Sequence, residues 1–452
     1  MSLSKQAVLT GYRTLCRCLS STVRQSCHYQ TSAPTEKVPV TEQLAINKET
    51  LPFTELVRDF LDPTEFFQAV RDVAEINFIC GVPDSLLKDF CAYVSENVPP
   101  EDHVIAANEG NAIAIAAGYH LATGKSPMVY MQNSGIGNAV NPLVSLAAPE
   151  IYRFPMLLLI GWRGEPGKRD EPQHQLQGRL TPSILAALGI PFQTLPDYIE
   201  GAQQALATAK YHLGNSRSAY ALLVKRQTFL PYKAKRNNAV GSHGSGAVLT
   251  REIAVQLIAD GVHKKGEKIA LVGSTGMASR ELFEHRSARG QSHSTDFLCV
   301  GAMGHASSIA LGIAIHSPRT KVYCIDGDGS VIMHMGALPV AGGLTSLVPN
   351  FRHIVLNNGA HDSVGGQPTA ASNFHSINLT QAALACGYKE VRLAVTKEEA
   401  VEGVEWLQGT TGPAMLEIRV KKGGRKNLGR PTNTPVHTKE EFMKHLQMQT
   451  TE

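Results

Sequence analysis

The chain has 452 residues, of which 43% are hydrophobic and 18% charged, and its formal net charge is +4. This composition is typical of a soluble globular protein with room for two domains, and it argues against a disordered or fibrous chain. Apolar runs such as 154–162 are far shorter than the roughly 20 residues that cross a bilayer, so the sequence predicts no membrane span.

The first predicted segment is a presequence and leader, residues 1–44. Its first 35 residues contain four basic residues and no acid, so they carry the whole net charge: Lys5, Arg13, Arg17 and Arg24. The neutral remainder argues against a nucleic-acid-binding face. An Arg- and Ser-rich, acid-poor start is typical of a mitochondrial transit peptide. We therefore predict mitochondrial localisation, with the cytoplasm as second choice; a merely disordered tail is the alternative.

The first half of the remaining chain, residues 45–232, alternates between helical and strand patterns. A helix rich in alanine and glycine (111–121) precedes a buried strand (128–131), a glycine turn and a second apolar strand (156–160). This alternation predicts a parallel sheet with helices packed on its faces.

The second half, residues 248–450, repeats this order at an offset of 194 residues, with a helix at 307–316 and strands at 321–325 and 353–356. The offset joins two pairs of glycines, Gly118 with Gly312 and Gly135 with Gly329. We predict an α/β fold of two similar doubly wound parallel-sheet domains without a central third domain. A basic and then Gly/Ser-rich linker (233–247) joins them. Chance similarity between two α/β units is the alternative.

A glycine turn, Gly327-Asp328-Gly329, ends one predicted strand, and Asn357-Asn358 ends the next after 27 intervening residues. Parallel α/β sheets bind ligands at the carboxyl ends of such strands. The glycines let backbone N–H groups approach a phosphate, and Asp328 and Asn358 offer the hard oxygens that suit Mg²⁺. The pair of motifs therefore predicts a magnesium–diphosphate site.

This pair of motifs resembles the diphosphate-binding signature of the thiamine-diphosphate enzymes. The resemblance implies a thiamine diphosphate cofactor and a Mg²⁺ ion held by Asp328, Asn358 and the backbone carbonyl of Ala360. It also implies that Glu109, in the motif ANEGNAIAIAAGY, bonds the cofactor's pyrimidine ring. An apolar helix around Glu109 favours the neutral carboxyl that this role needs. The alternative is a surface glutamate at a helix N-terminus.

The same resemblance places a loop under the cofactor. Gly301 would accept a hydrogen bond from the pyrimidine amino group, and Met303 would hold the two rings bent toward each other; a core methionine is the alternative. A second turn, Gly273-Ser274-Thr275, would add hydroxyl and N–H groups to the diphosphate. Because the family builds each site from both kinds of domain across a subunit boundary, it implies a homodimer or higher homo-oligomer with shared active sites.

Within the 2-oxo acid decarboxylases of this class, a chain without a middle domain is similar to the phosphonopyruvate and sulfopyruvate decarboxylases. Four segments resemble the phosphonopyruvate decarboxylases in particular: 81–85, 161–179, 357–369 and 428–432. The implied reaction is the thiamine-diphosphate- and Mg²⁺-dependent decarboxylation of 3-phosphonopyruvate to phosphonoacetaldehyde, a step of phosphonate (2-aminoethylphosphonate) biosynthesis.

A basic loop after strand 156–160 fits a small anionic 2-oxo acid. We predict that Arg163 and His174 contact the substrate, because arginine forks suit phosphonate oxygens; a solvated charged loop is the alternative. Asp84 and His361 are predicted to transfer protons, with a helix N-cap and a loop histidine as alternatives. Two rival functions remain. One is a sulfopyruvate decarboxylase; the other is a dinucleotide-binding oxidoreductase, although the sequence lacks a convincing G-x-G-x-x-G motif.

Overall fold

The computed structural model describes residues 60–233, 248–263, 266–372 and 377–448. All of them belong to one compact unit of the chain, Arg58–Glu452. The predicted presequence (1–44) and, except for Lys233, the predicted linker (233–247) lie outside the described residues.

The first half of the described chain alternates six strands with six helices. The strands are β1 (Ile79–Gly81), β2 (His103–Ile105), β3 (Met128–Gln132), β4 (Leu157–Gly161), β5 (Phe192–Thr194) and β6 (Tyr220–Val224). The helices are α1 (Pro63–Asp72), α2 (Lys88–Asn97), α3 (Glu109–Thr123), α4 (Ile136–Pro142), α5 (Pro172–Ala187) and α6 (Ile199–Ser216). All strand pairs are parallel, in the order β2-β1-β3-β4-β6-β5.

The second half forms a second parallel sheet and a small hairpin. Its strands are β7 (Ile269–Gly273), β8 (Asp296–Leu298), β9 (Lys321–Gly327), β10 (Phe351–Asn357), β11 (Ala360–His361), β12 (Gln367–Pro368), β13 (Glu390–Ala394) and β14 (Ala414–Arg419). Its helices are α7 (Arg251–Gly261), α8 (Met277–Ala288), α9 (Ala306–His316), α10 (Asp328–Met333), α11 (Ala337–Gly343), α12 (Leu379–Ala385), α13 (Lys397–Gly409) and α14 (Pro435–Gln447). Strands β11 and β12 pair antiparallel outside the main sheet.

The two main sheets have the same strand order. Read from its β8 edge, the second sheet runs β8-β7-β9-β10-β14-β13, which matches the first sheet strand for strand. The equivalent helices α3 and α9 carry Gly118 and Gly312, the glycines at the repeated offset. The predicted α/β class and the internal repeat are therefore confirmed, and no third sheet domain separates the halves in the described ranges.

The central strands are apolar on both faces because helices cover each sheet on two sides. In β3, Met128 and Tyr130 face one hydrophobic core while Val129 and Met131 face another. The second sheet likewise separates two cores. Because the helices cover only the two faces of each sheet, the carboxyl ends of the strands remain free to carry loops. None of the described helices is long and apolar enough to cross a membrane.

Candidate active site

One cavity of about 630 Å³ lies where the carboxyl ends of strands from both sheets meet. Loops after β1, β3 and β4 line it from the first half, and loops after β7, β8, β9 and β10 from the second. Parallel α/β sheets bind ligands at this edge, and the volume suits a cofactor-sized molecule. The predicted site residues that line the cavity are Glu109, Arg163, His174, Ser274, Thr275, Gly301, Met303, Gly327, Asp328, Gly329, Asn358, Ala360 and His361.

The metal-binding prediction rests on oxygen ligands at the ends of β9 and β10. Asp328 is 2% exposed, and its Oδ2 accepts a hydrogen bond of 2.5 Å from the Thr369 hydroxyl. Its Oδ1 accepts from the backbone N–H of Asn358 at 3.4 Å, so the two predicted ligands are in direct contact. Burial raises the pKa of Asp328 to about 6, whereas these hydrogen bonds lower it. A divalent cation beside the carboxylate would offset the cost of that burial.

The side chain of Asn358 is oriented by a buried ion-pair network. Its Nδ2 donates to Asp362 Oδ2 at 2.7 Å, and its Oδ1 accepts from the backbone N–H of Ala360 at 3.0 Å. Asp362 Oδ2 also accepts from Arg251 Nη1 at 2.6 Å, while the same guanidinium pairs with Glu281. This network keeps the amide oxygen of Asn358 on the side of the Ala360 backbone, where the predicted third ligand lies. Arg251 and Asp362 were not predicted from the sequence, because the contacts that give them this role are long-range.

Glu109 faces the same cavity from the first half of the chain. It is the first residue of α3, which Asn108 caps by accepting from the Asn111 backbone N–H at 2.9 Å. The Glu109 side chain is 5% exposed, and its Oε2 accepts from Asn138 Nδ2 at 2.8 Å. Burial raises the pKa of Glu109, while the Asn138 hydrogen bond lowers it. The raised pKa favours a neutral carboxyl group, which can donate a hydrogen bond to a ring nitrogen.

The carboxyl group of Glu109 packs directly against Gly135 at the end of the glycine turn. A Cβ atom at Gly135 would lie 2.1 Å from Glu109 Oε1, so only glycine fits beside the side chain as it stands. Gly135 belongs to the repeated turn that the sequence pairs with Gly329. The turn in the first half therefore holds the acid in place, while the equivalent turn in the second half carries the predicted diphosphate site.

The loop predicted to lie under the cofactor follows β8. Ala302 adopts a left-handed backbone with φ 53°, an uncommon conformation for a residue with a Cβ atom, and Met303 beside it is half-buried in the cavity wall. Ser330 connects this loop to the other turns, because its Oγ accepts from Gly304 N at 3.0 Å and from the Ser274 hydroxyl at 3.1 Å. The loops after β7, β8 and β9 are thus fixed relative to one another around the same space.

Two predicted site residues, Gly273 and Asp84, do not line the cavity. Gly273 is the buried last residue of β7, so the turn reaches the cavity only from Ser274 onward. Asp84 is fully buried behind the lining residues: a Cβ atom at Gly161 would lie 1.8 Å from its Oδ2, which also accepts from Leu86 N at 3.0 Å. Burial raises the pKa of Asp84 to about 6.

Asp84 is also not a helix N-cap. Helix α2 begins at Lys88 after Leu87, and no side chain caps it. The positive charge of Arg163 lowers the pKa of Asp84 and so opposes part of this rise, which means that the two side chains interact electrostatically. The role of Asp84 in proton transfer stays a prediction. His361, in contrast, lines the cavity, and burial lowers its pKa to about 4, so its imidazole is neutral at pH 7.

The guanidinium group of Arg163 is already occupied in this structure. It forms a fork with Asp170, with 2.8 Å from Nε to Oδ2 and 2.5 Å from Nη2 to Oδ1. Its Nη1 donates to the Ser85 hydroxyl at 2.9 Å. His174, in the first turn of α5, is half-buried and lines the cavity, and its pKa is lowered by burial and by the charge of Arg163. The other basic residues of the loop, Lys168, Arg169 and Arg179, are exposed and do not line this cavity.

Both sides of the cavity come from one chain. Asn108 Nδ2 donates to the backbone oxygen of Met333 at 3.2 Å, and Gln367 Nε2 donates to that of Lys88 at 3.4 Å, so hydrogen bonds join the two halves directly. Within this single chain, Glu109 and Asp328 line the same cavity. Whether the active sites are shared between subunits, as the family resemblance implies, is not tested by this arrangement. The homo-oligomer stays a prediction.

Family models of the thiamine pyrophosphate enzymes match both halves of the chain. The N-terminal TPP binding domain matches residues 65–185, and the C-terminal TPP binding domain matches residues 272–418. These matches agree with the site, in which a buried glutamate from one half faces a carboxylate–amide pair from the other. The fold and the site therefore define a thiamine pyrophosphate enzyme.

Full-length relatives narrow that class. The chain is 32% identical to the phosphonopyruvate decarboxylase of Streptomyces viridochromogenes over 377 residues, which cover 81% of this chain and 90% of the relative. It is 32% identical to the phosphonopyruvate decarboxylase of Streptomyces hygroscopicus over 370 residues, which cover 80% and 88%. Identity to the sulfopyruvate decarboxylase of Methanosarcina acetivorans is 28% over 376 residues, which cover 80% and 92%.

This chain belongs to the thiamine-diphosphate-dependent decarboxylases, which are carboxy-lyases, and its cofactor is thiamine diphosphate. This family membership excludes the alternative of a dinucleotide-binding oxidoreductase. The prediction of mitochondrial localisation is wrong, because the three relatives named above come from bacteria and an archaeon, which have no mitochondria. The second choice, the cytoplasm, fits those relatives.

Proposed function

We propose that this enzyme decarboxylates 3-phosphonopyruvate to phosphonoacetaldehyde and CO₂ and depends on Mg²⁺ as well as thiamine diphosphate. The observation that carries the proposal is the composition of one cavity. It brings together a buried glutamate, a carboxylate–amide pair suited to Mg²⁺, and several cationic side chains. Similarity to two phosphonopyruvate decarboxylases across most of the chain supports the choice of substrate.

The cofactor, when bound, supplies an electron sink for the bond that breaks as CO₂ leaves. The chain's own residues bind and orient it. Asp328, Asn358 and the backbone carbonyl of Ala360 would hold Mg²⁺ through oxygen ligands, as this cation prefers. Ser274, Thr275 and the turn at 327–329 would surround the diphosphate. Glu109, whose pKa is raised by burial, would share a proton with a nitrogen of the pyrimidine ring.

The substrate needs anion-binding groups and a source of protons. Arg163 and His174 line the same cavity as the cofactor-binding turns and would contact the anionic substrate. His361 is neutral at pH 7, so its imidazole can accept a proton within the cavity, although burial disfavours the charged form that results. Asp84 does not line the cavity, so it would influence proton transfer indirectly, through its electrostatic interaction with Arg163. Protonation at the former keto carbon then gives an aldehyde.

Sulfopyruvate is the second candidate substrate, because a sulfopyruvate decarboxylase is 28% identical over 80% of this chain. The test is to incubate the enzyme with thiamine diphosphate and Mg²⁺ at pH 7 and to follow CO₂ and aldehyde from phosphonopyruvate, sulfopyruvate and pyruvate. The proposal predicts the highest kcat/KM for phosphonopyruvate. A higher kcat/KM for sulfopyruvate would overturn the choice of substrate and leave the decarboxylase class intact.

The dependence on Mg²⁺ is tested separately through Asp328. Asp328→Ala should abolish the Mg²⁺-dependent part of thiamine diphosphate affinity in titration calorimetry, because it removes the buried carboxylate ligand. Asp260→Ala is the matched control, since Asp260 lies on α7 and pairs with His285 and Arg289 outside the cavity. An unchanged affinity in Asp328→Ala would refute its role as a metal ligand.

Phosphonoacetaldehyde is a reactive aldehyde that a further enzyme must consume, and we place the reaction in phosphonate (2-aminoethylphosphonate) biosynthesis. We also propose that the enzyme is at least a homodimer. The outer face of α3 supports this: Ile115, Gly118 and Leu121 are exposed on the helix whose first residue is Glu109. Sedimentation should give a mass of at least twice the 48.8 kDa chain; a monomer would contradict the proposal.

A further inference from the structure

Arg280 lies in the cavity wall, at a position that the sequence motifs did not single out. It belongs to the first turn of α8, which follows the turn Ser274–Gly276, and residues 274–280 all line the cavity. Its side chain is half-buried. The N-terminus of a 12-residue helix adds partial positive charge to this wall. Position alone therefore makes this side of the cavity attractive to an anion.

The other charges near Arg280 are already engaged with one another. Its pKa is lowered by burial and by the like charges of Arg430 and Arg163, and raised by Glu171. Arg163 is bound by Asp170, and Arg430 pairs with Glu171. Both acids are therefore already paired with other arginines, since Asp170 also pairs with Arg226.

Arg280 is the member of this group with no hydrogen bond or ion pair to another residue of the described chain. Its guanidinium always carries a charge at physiological pH and presents a fork of N–H donors. A partly desolvated cation with like-charged neighbours is stabilised most by a ligand that carries more than one negative charge. A phosphoryl-type group, with up to two charges and three acceptor oxygens, fits this requirement better than a carboxylate.

We propose that Arg280 binds the dianionic phosphonate group of the substrate and is the main residue that distinguishes this substrate from 2-oxo acids without a phosphonate. The inference rests on the proposed function and deepens it by assigning the headgroup to a residue. The Arg163 fork is already bound by Asp170 and also holds the loop 163–170 in place, so it has fewer free donors for the phosphonate than Arg280.

The reaction itself indicates which anionic group of the substrate should bind a strong cation. The carboxylate leaves as uncharged CO₂, so a strong cation on that group would stabilise the ground state and slow the reaction. The phosphonate keeps its charge throughout, and a cation placed on it binds the ground state and the transition state equally. Loss of such an interaction raises KM and leaves kcat nearly unchanged.

The test compares Arg280→Gln with Arg289→Gln in the enzyme loaded with thiamine diphosphate and Mg²⁺. Arg289 follows the same helix, is paired with Asp260 and lies outside the cavity, so it is a matched control. Arg280→Gln should raise KM for phosphonopyruvate by about 10- to 100-fold, the range for loss of charge-assisted hydrogen bonds. Its kcat should stay within a few-fold of the parent enzyme, and kcat/KM for pyruvate should not fall.

A binding measurement separates this role from others. Phosphonoacetate, titrated into the loaded enzyme by calorimetry, should bind Arg280→Gln about 10- to 100-fold more weakly, whereas thiamine diphosphate should bind with unchanged affinity. Equal phosphonoacetate affinity in the variant and the parent would overturn the proposal, as would a loss confined to thiamine diphosphate, which would assign Arg280 to the cofactor. Failure of the parent enzyme to release CO₂ from phosphonopyruvate would instead refute the proposed function, while the phosphonoacetate titration would still decide the role of Arg280.

Discussion

The contact between Gly135 and Glu109 allows the position of the predicted catalytic acid to be changed without changing the acid. In Gly135→Ala, the new Cβ would lie 2.1 Å from Oε1 and 2.4 Å from Cδ of Glu109. These atoms belong to the end of a flexible side chain, so the carboxyl group can retreat and the fold should survive. The substitution therefore displaces the carboxyl group while the helix that carries it stays in place.

The size of the effect follows from this distance. Non-bonded heavy atoms are most stable at about 3.5 Å, so the carboxyl group must move by roughly 1.4 Å to relieve the contact. A displacement of about 1 Å at a reacting group can cost about 100-fold in rate. We therefore expect kcat to fall by about 100-fold at saturating cofactor. The Asn138 hydrogen bond to Glu109, now 2.8 Å, should lengthen or break.

The assay is CO₂ release from phosphonopyruvate, with the midpoint of thermal unfolding measured in parallel. Gly137→Ala is the matched control, because it lies two residues away in α4 and a Cβ there has nothing within 4 Å. Alanine is the better helix former, so this control should keep full activity and be equally or slightly more stable. Near-normal kcat in a folded Gly135→Ala enzyme would refute the reasoning that the position of Glu109 controls the rate.

Two further predictions concern Asp84 and Asp362, acids close to the cavity. Asp84 has a pKa of about 6 instead of 3.8, so the folded protein binds more protons than the unfolded chain and this group costs stability as pH rises through that range. The gain in unfolding free energy from Asp84→Asn should therefore grow by up to about 3 kcal/mol between pH 4 and pH 8, measured by urea unfolding; a pH-independent difference would contradict it. Asp362→Ala removes the acceptor that orients Asn358 and should weaken Mg²⁺ binding by about 10- to 100-fold in calorimetry, whereas unchanged Mg²⁺ affinity would remove Asp362 from the metal site.

The elements that the sequence predicts well are those with a local pattern. The strands and helices around the two glycine turns are found with ends within two residues of the prediction, because buried apolar strands and Ala-rich helices are encoded in consecutive residues. The predicted metal ligands Asp328 and Asn358 follow adjacent strands, so parallel pairing alone brings them together. The position of Glu109 near these two residues was expected from the family resemblance, and all three residues line the same cavity.

The elements that the sequence does not predict depend on contacts between distant residues. Arg163 is an exception, because its partner Asp170 is only seven residues away, but the sequence does not decide whether the fork binds this acid or a ligand. Arg280 lies in a helix of mixed charge, MASRELFEHRSA, whose pattern is that of any exposed helix. The positive charges of Arg163 and Arg430 act on Arg280 only in the folded chain, so the sequence alone does not show them. Asp84 was predicted to transfer protons in the active site, but its side chain packs against Gly161 behind the residues that line the cavity.

The most direct test of the account is a paired measurement on Glu109→Gln. Glutamine keeps the size of the side chain and can still contact Asn138, but it cannot exchange a proton with the pyrimidine ring. The account predicts that this variant binds thiamine diphosphate in the presence of Mg²⁺ with nearly the affinity of the parent enzyme and loses most of its CO₂ release. Turnover close to that of the parent enzyme would contradict the central claim that Glu109 acts on the cofactor in this cavity.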